Sequence, residues 1–306
     1  MPIVISSPNE RISALLKKHP AYERGELDVV DWDIKTPSPR ESFDMLITPF
    51  MNGNPDFRFL DGVRVPFVQT ATIGYEHVAP FLNDSQLLAN AKTVHETATA
   101  ELALALLLAV LRDIPRSVHS QIARQWDQFF APGLADAHVL LIGYSGIGKA
   151  IAQRLEPFEV EVTRVAAHAR DDEYGHVYEQ ADIPALLPDA DAVILILPAT
   201  PDSIGMVDDA FLSRMKDGAV LCNMARGTIA DTNALIKHAD RLRICFDVVD
   251  PEPLPADSPL YTHPNVLLTA HNGGYTQALW PRLERLLHRQ IDHLLAGEQP
   301  ENLVAY

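Results

Sequence analysis

Three side chains suited to proton transfer and anion binding each follow a short apolar run in this sequence. They are Arg226, Glu252 and His271. The runs read as buried strands, and they are Val220 to Asn223, Ile244 to Phe246 and Val266 to Thr269. Histidine exchanges protons near neutral pH, and arginine binds carboxylates and phosphates. If the three meet, the pattern predicts acid–base chemistry on an anionic ligand.

Each of these residues also has an ordinary interpretation. Arg226 can be a solvated turn residue, Glu252 lies in a proline-rich loop, and His271 can simply begin the turn Asn272-Gly273-Gly274. In an open parallel sheet, however, ligands bind beyond the carboxyl ends of the strands. Three such residues following three strands of one sheet therefore favour a site over three unrelated loops.

A glycine-rich turn supplies a second indication of ligand binding. The apolar run Val139 to Ile142 leads into Gly143-Tyr144-Ser145-Gly146-Ile147-Gly148, and apolar residues then continue at helical spacing. A strand, a glycine turn and a helix N-terminus in this order are typical of a dinucleotide site. Ser145 replaces the middle glycine, so we expect its Cβ to crowd a pyrophosphate, with Gly146 offering room one place later. By itself, the turn is also consistent with a purely structural connection between a strand and a helix.

The remaining elements predict two α/β domains. With the glycine-turn strand, six apolar strands alternate with amphipathic helices, as in a doubly wound parallel sheet. The other predicted strands are 160–165, 192–197, 219–223, 243–246 and 266–269. The first ninety residues look like a smaller parallel α/β unit, and a last helix near 277–295 returns to it. We expect one domain over 1–95 and 281–306 and the other over 96–280.

Composition excludes several classes of protein. The chain has 306 residues and a formal charge of −16, which argues against nucleic-acid and anionic membrane partners. Cys222 and Cys245 lie in apolar runs and are expected to be buried thiols, and no metal site is predicted. The start of the chain does not look like a secretory leader, and the apolar run Leu102 to Leu111 is shorter than the about 20 residues of a membrane span. We expect a cytoplasmic protein.

Taken together, these motifs resemble those of the D-isomer-specific 2-hydroxyacid dehydrogenases over nearly the whole chain. The matching segments are Val139 to Gly148, Asn223 to Gly227 with Asp231, Asp247-Val248, Pro251 to Pro255, and Pro264 to His271. The resemblance implies a flavodoxin-like α/β substrate domain, a Rossmann-type NAD(P)-binding domain, and a homodimer formed through the cofactor domains.

The same resemblance implies a reaction and its residues. A hydride passes between a nicotinamide cofactor and a small 2-keto acid or D-2-hydroxy acid, with His271 as general acid and base. Glu252 is implied to orient the imidazole, and Arg226 to hold the substrate carboxylate and carbonyl. The backbone at Ile73 and Gly74 is implied to hold the other side of the carboxylate.

The cofactor site implied by the resemblance is larger. Gly146 and Ile147 are expected to cover the pyrophosphate, and Asp247 to contact the nicotinamide carboxamide. The complete predicted set is Gly143, Tyr144, Ser145, Gly146, Ile147, Gly148, Ala167, His168, Arg170, Pro198, Met224, Ala225 and Asp247. Candidates for the pocket around the substrate side chain, which can equally be core residues, are Phe50, Met51, Tyr75, Tyr275 and Trp280.

The choice of cofactor depends on the end of the second strand of the cofactor domain. NAD-specific sites carry an acid there for the ribose 2′-OH. Here Ala167-His168-Ala169-Arg170 follows the strand, which favours the 2′-phosphate of NADP, although Asp171 or Asp172 can take the NAD role.

Two other functions are also consistent with parts of the sequence. One is a non-catalytic, dinucleotide-sensing corepressor on the same fold. The other is an unrelated Rossmann enzyme, but this alternative does not explain the sequence motifs around His271 and Glu252.

Overall fold

A computed structural model describes residues 1–50 and 55–306 of the chain. Two compact units make up the described chain: Met1–His95 with Gln277–Tyr306, and Glu96–Thr276. The return to the first unit comes four residues before the expected position of 281. Met51, one of the predicted pocket residues, lies outside the described residues.

The first unit begins with a parallel sheet and two short helices. Its elements up to residue 95 are β1 (Ile3–Ser7), α1 (Glu10–Lys17), α2 (Pro20–Glu23), β2 (Leu27–Asp31), β3 (Met45–Ile47), β4 (Phe67–Gln69) and β5 (Leu87–Ala89). The strand order is β2-β1-β3-β4-β5, with every pair parallel. This is the flavodoxin order, so the prediction of a smaller flavodoxin-like unit is confirmed.

The second unit is the larger α/β unit. Its elements are α3 (Glu96–Leu111), α4 (Ile114–Ile122), β6 (His138–Ile142), α5 (Gly146–Leu155), β7 (Glu161–Ala166), β8 (Arg170–Asp172), β9 (Gly175–Glu179), α6 (Ile183–Leu186), β10 (Ala192–Leu195), α7 (Asp209–Arg214), β11 (Val220–Asn223), α8 (Thr232–His238), β12 (Arg243–Phe246) and β13 (Val266–Leu268). The sheet order is β13-β12-β11-β10-β6-β7-β9-β8, and only β8 pairs antiparallel. The order reverses between β6 and β10, which is the switch point of a doubly wound sheet.

The central strands form because they are apolar along their whole length. Every residue of β10 and β11 is buried, and separate apolar clusters cover the two faces of the sheet. The Rossmann-type fold predicted from the sequence is confirmed. The predicted count of six strands is wrong, because β9 occupies the place next to β7 and β8 adds an antiparallel edge. Both strands are short and mostly polar, so neither has the apolar run that identifies the others.

The register of the sheet aligns the carboxyl ends of its strands. Ile142 lies opposite Leu195, Leu195 opposite Asn223, and Asn223 opposite Phe246. Phe246 in turn lies opposite Leu268. The loops that follow β6, β10, β11, β12 and β13 therefore leave the sheet at one edge, as the sequence predicted for the candidate site.

The last helix, α9 (Leu279–Ala296), belongs to the first unit. It buries one apolar stripe against β1, β3 and α1, and Leu283, Leu286 and Leu287 are fully enclosed. A second cluster covers the opposite face of that sheet. Over residues 1–50 and 55–306, no helix is both long enough and apolar enough to cross a membrane.

Candidate active site

Packing requires the first and third glycines of the turn after β6. Gly143 has φ 107°, and a Cβ placed on it would lie 2.3 Å from the carbonyl oxygen of Ile196. A Cβ on Gly148 would lie 2.0 Å from the carbonyl oxygen of Gly143. The turn therefore packs against the chain just after β10 and against the first turn of α5. The N-terminus of α5 points to the edge of the sheet where the strands have their carboxyl ends. This cradle fits a pyrophosphate.

Ser145 occupies its place in the turn without strain. It is the N-cap residue of α5, is exposed, and has φ −106° and ψ −153°, which a residue with a Cβ readily adopts. Gly146, expected to cover the pyrophosphate, also contacts the helix α3. A Cβ on Gly146 would lie 3.1 Å from Cγ and Oε1 of Glu96, so the first residue of α3 packs against the turn there.

Cationic side chains surround Tyr144 beyond the end of β7. Lys149 Nζ lies 5.8 Å, Arg164 Cζ 5.6 Å and Arg170 Cζ 6.0 Å from the centre of the Tyr144 ring. Arg170 also donates to the carbonyl oxygen of Tyr144 at 3.3 Å and to that of His168 at 3.4 Å. The exposed segment Ala167–His168 is thereby tied to the glycine turn, and a positive patch adjoins the cradle.

The two acids that can serve an NAD site are engaged inside the β8–β9 hairpin. Asp171 pairs with His176 at 2.8 Å. Asp172 accepts the N–H of Tyr174 at 2.9 Å and lies 3.7 Å from Arg164. Neither carboxylate is at the tip of β7, where the ribose acid of an NAD site stands.

Arg226 is placed by a turn that Asn223 and Gly227 shape. The Asn223 side chain accepts the N–H of Ala225 at 3.0 Å and donates to the carbonyl oxygen of Arg226 at 3.1 Å. A Cβ on Gly227 would lie 2.1 Å from the carbonyl oxygen of Val249, so this turn packs directly on the loop after β12. The half-buried arginine is held next to the loop that carries Glu252.

Glu252 and His271 form a hydrogen-bonded pair. Glu252 Oε2 lies 2.9 Å from Nδ1 of His271, and Oε1 accepts the N–H of Val249 at 3.1 Å. Burial raises the pKa of Glu252, but the bonds and charge of His271, the N–H of Val249 and the charge of Arg226 together lower it below its usual range. Glu252 is therefore ionised at neutral pH. The His271 side chain is 37% exposed, so a ligand can reach it.

Asp247 fixes the loop that presents His271. Its buried carboxylate accepts the Thr269 hydroxyl at 2.6 Å and the N–H groups of Asn272 and Gly273, both at 2.7 Å. Its carbonyl oxygen accepts the N–H of His271 at 2.7 Å, and His271 has φ 54°, a conformation uncommon for a residue with a side chain. Such strain persists only where surrounding contacts hold it, and Asp247 provides those contacts.

Two further residues at this edge come from the first turn of α3, and sequence reasoning missed both. Glu96 packs on Gly146, and a Cβ on Gly273 would lie 3.3 Å from Cγ2 of Thr99. One helical turn therefore touches both the glycine turn and the His271 loop. Only the two glycines, where a Cβ would crowd a neighbouring side chain, could have signalled the contact.

The other predicted cofactor residues lie where their strands end. Met224 donates its N–H to the carbonyl oxygen of Leu195 at 3.0 Å, and Met224 and Ala225 are buried. The carbonyl oxygen of Pro198 accepts the hydroxyl of Ser203 at 2.7 Å. No group of three or more His, Cys, Asp or Glu side chains in the described ranges, 1–50 and 55–306, has a metal-binding arrangement.

The predicted substrate residues of the first unit lie in two places. The carbonyl oxygen of Ile73 accepts from Asn90 at 3.0 Å and that of Gly74 from Thr72 at 2.7 Å, which shapes their loop. The candidates for the side-chain pocket are dispersed. The ring centres of Phe50 and Trp280 lie 6.5 Å apart, and the Tyr75 hydroxyl donates to the carbonyl oxygen of Ala305 at 3.2 Å. Tyr275 is exposed in the second unit. Phe50 and Trp280 pack on one core cluster and Tyr75 on another, so the structure does not gather all of them.

The doubly wound sheet, the glycine cradle and the histidine–carboxylate pair at one sheet edge define a dinucleotide-binding oxidoreductase unit. The chain belongs to the D-isomer-specific 2-hydroxyacid dehydrogenase family, because residues 104–273 match the sequence profile of that family's NAD-binding domain. It is thus an NAD(P)-dependent oxidoreductase of this family, as the sequence motifs indicated.

Individual proteins support the assignment. A glyoxylate reductase from Thermofilum pendens is 31% identical over 250 residues, which cover 78% of this chain and 74% of that protein. Human glyoxylate reductase/hydroxypyruvate reductase is 27% identical over 296 residues, or 90% and 89% of the two chains. A solved NADPH-dependent glyoxylate/hydroxypyruvate reductase from Sinorhizobium meliloti, bound to NADP and sulfate, has a TM-score of 0.84 at 22% identity and covers 99% of this chain and 98% of its own. This last likeness concerns the fold.

Proposed function

We propose that this protein is a reductase that converts small 2-keto acids to D-2-hydroxy acids and prefers NADPH. The observation that carries the proposal is the His271–Glu252 pair, 2.9 Å apart, at the sheet edge that also holds Arg226 and the glycine turn. We assign substrate binding to the unit of residues 1–95 and 277–306, and cofactor binding to residues 96–276. The two relatives named as glyoxylate reductases support this substrate class.

His271 acts as the general acid. Glu252 holds Nδ1, so the ring presents Nε2 to the substrate oxygen. The ionised carboxylate stabilises the imidazolium, which keeps a proton available for transfer. A reduced nicotinamide, when bound, would supply the hydride. His271 delivers the proton to the keto oxygen. In the reverse direction the neutral imidazole removes the proton from the hydroxyl group.

Arg226 binds the anionic end of the substrate. Its guanidinium donates to the carboxylate and to the carbonyl oxygen, where negative charge grows during reduction. A local cation is needed here because the formal charge of the chain is −16 and repels an acid substrate. In the first unit, we assign substrate binding to the backbone N–H groups at Thr72 to Gly74.

The NADPH preference rests on Arg170 and His168 and on the engagement of Asp171 and Asp172 within the hairpin. Replacing Arg170 with alanine is expected to lower kcat/KM for NADPH about 10- to 100-fold, since one charged hydrogen bond to phosphate is lost. The value for NADH should change about twofold at most. Initial rates at varied concentrations of each cofactor measure both.

Arg214→Ala, which removes an exposed arginine from α7, serves as the matched control and should leave both values unchanged. The NADPH preference is refuted if the unmodified protein uses NADH more efficiently, or if Arg170→Ala impairs both cofactors equally.

We also propose that the protein forms a homodimer through an apolar surface of the second unit. Ile114, Val118 and Ile122 form an exposed stripe along α4, followed by Trp126, 92% exposed, and the fully exposed Phe130. Isolated proteins rarely display such a patch. Asp127 pairs with Arg116 at 2.8 Å, and this bond holds the segment after α4 in place. We assign this exposed apolar surface to contact with a second copy of the same chain.

Replacing Trp126 and Phe130 together with aspartate is expected to convert the dimer to a monomer, because both aromatic anchors are lost and charge is introduced. Sedimentation velocity measures the assembly, and circular dichroism should show unchanged secondary structure. Ile204→Asp changes an exposed apolar residue elsewhere on the unit and should remain dimeric. A double variant that sediments as the dimer contradicts the proposal.

A further inference from the structure

We propose that Arg164, a residue of β7 outside the predicted set of cofactor residues, determines cofactor specificity as a positioning residue for the β8–β9 hairpin. The inference rests on the proposed NADPH preference and adds to it a residue that does not itself touch the 2′-phosphate. Two effects are combined in this side chain. It anchors the hairpin that carries Arg170, and it binds Asp172, an acid that would otherwise favour NAD.

The surroundings of Arg164 are unusual for an arginine. Its side chain is only 11% exposed and lies on the sheet face where Val162, Ala166 and Tyr144 pack in the core. Taking a guanidinium out of water is costly unless its donors are satisfied. Arg164 meets part of this cost by donating from Nη2 to the carbonyl oxygen of Tyr174 in the hairpin turn, whereas its buried Nε has no hydrogen-bond partner in the described part of the chain. The contact joins the middle of β7 to the far end of the hairpin.

The hairpin turn is shaped around this guanidinium. Gly175 has φ 103°, and a Cβ on it would lie 3.4 Å from Nη2 of Arg164. Tyr174 precedes it and supplies the bonded carbonyl oxygen. Since β8 begins at Arg170, fixing the turn fixes the strand that carries Arg170 beside the Tyr144 carbonyl. Removal of Arg164 is expected to loosen the hairpin and with it the Arg170 guanidinium.

The second effect of Arg164 is to offset the charge of Asp172. Nη1 of Arg164 lies 3.7 Å from Oδ1 of Asp172, two residues after Arg170. An acid near this strand end is the feature that NAD sites use to bind the ribose 2′-OH and that repels a 2′-phosphate. Arg164 offsets the Asp172 charge and keeps the carboxylate on the hairpin. Without Arg164, the same carboxylate opposes NADPH.

The test compares Arg164→Met, Asp172→Asn and the double variant in the full-length protein. Binding of adenosine 2′,5′-bisphosphate and of ADP is measured by calorimetry, together with kcat/KM for NADPH and NADH. Arg164→Met is expected to lower the NADPH to NADH ratio about tenfold or more, through KM for NADPH, with kcat preserved. Asp172→Asn should keep or raise the ratio, and the double variant should recover at least threefold over Arg164→Met.

Thermal unfolding of each variant checks that the fold is retained. If Arg164→Met folds poorly, Asp172→Asn still tests the charge effect, because it leaves Arg164 unchanged. The inference is overturned if Arg164→Met leaves the ratio within twofold, or if Asp172→Asn lowers it. Failure of the proposed NADPH preference looks different, because the unmodified protein would then bind the bisphosphate and ADP equally well.

Discussion

Replacing His271 with glutamine is expected to lower kcat for keto-acid reduction about 10³-fold, because the substrate oxygen loses its proton donor. Glutamine retains much of the size and a polar end but cannot supply a proton at neutral pH. Affinity for NADPH should stay within about twofold, since the glycine turn and the Arg170 region are untouched. Stopped-flow reduction with excess enzyme measures the chemical step, and calorimetry measures cofactor binding.

Glu252→Gln is the matched partner of this variant. It removes the charge that stabilises the imidazolium but leaves His271 in place, so kcat should fall less, about 10- to 100-fold. Because the bonds and charge of His271 lower the pKa of Glu252, its carboxylate is charged at neutral pH, and the same stopped-flow reduction measures the loss of that charge. A His271→Gln protein that retains a tenth of native kcat would remove His271 from the mechanism.

Replacing Arg226 with lysine is expected to lower kcat/KM for a 2-keto acid about 10²- to 10³-fold, through both a higher KM and a lower kcat. Lysine keeps the charge but lacks the planar fork that binds a carboxylate and a carbonyl oxygen together. Removal of one donor to a developing oxyanion commonly costs this much. Steady-state kinetics with glyoxylate at saturating NADPH gives the two parameters separately.

The sharpest control for Arg226 is a substrate without the carboxylate. Glycolaldehyde is reduced at the same carbonyl centre but gives the arginine no carboxylate to bind. The native enzyme should use it poorly, and Arg226→Lys should change its kcat/KM far less than that of glyoxylate. Equal losses with both compounds would show that the arginine does not recognise the acid group.

The strands of the fold could be predicted where burial dominates. The strands β6, β10 and β11 are continuous apolar runs, and Gly143 and Gly148 mark the turn that packing forces. The β8–β9 hairpin could not be found this way, because its strands are short and held mainly by polar contacts. Arg164, buried within β7, is the residue that secures it, and nothing in local sequence marks an arginine as buried.

In the candidate site, too, some residues could be predicted from the sequence and others could not. Arg226, Glu252 and His271 could be placed at one edge because each follows a strand, and the structure brings Glu252 and His271 into contact. Their chemical roles stay predictions. The supporting contacts could not be predicted: Asp247 was expected at the site, but not its hydrogen bonds to the loop after the next strand, and Thr99 comes from a helix distant in sequence. Contacts of this kind depend on the completed fold.

The most direct test of the account is the stereochemistry and cofactor use of one reaction. The protein is supplied with hydroxypyruvate and either NADPH or NADH, cofactor oxidation is followed by absorbance, and the product is resolved by chiral chromatography. We predict D-glycerate, formed faster with NADPH. A protein that binds NADPH yet turns over neither hydroxypyruvate, glyoxylate, pyruvate nor phenylpyruvate would contradict the reductase and favour a dinucleotide-sensing role.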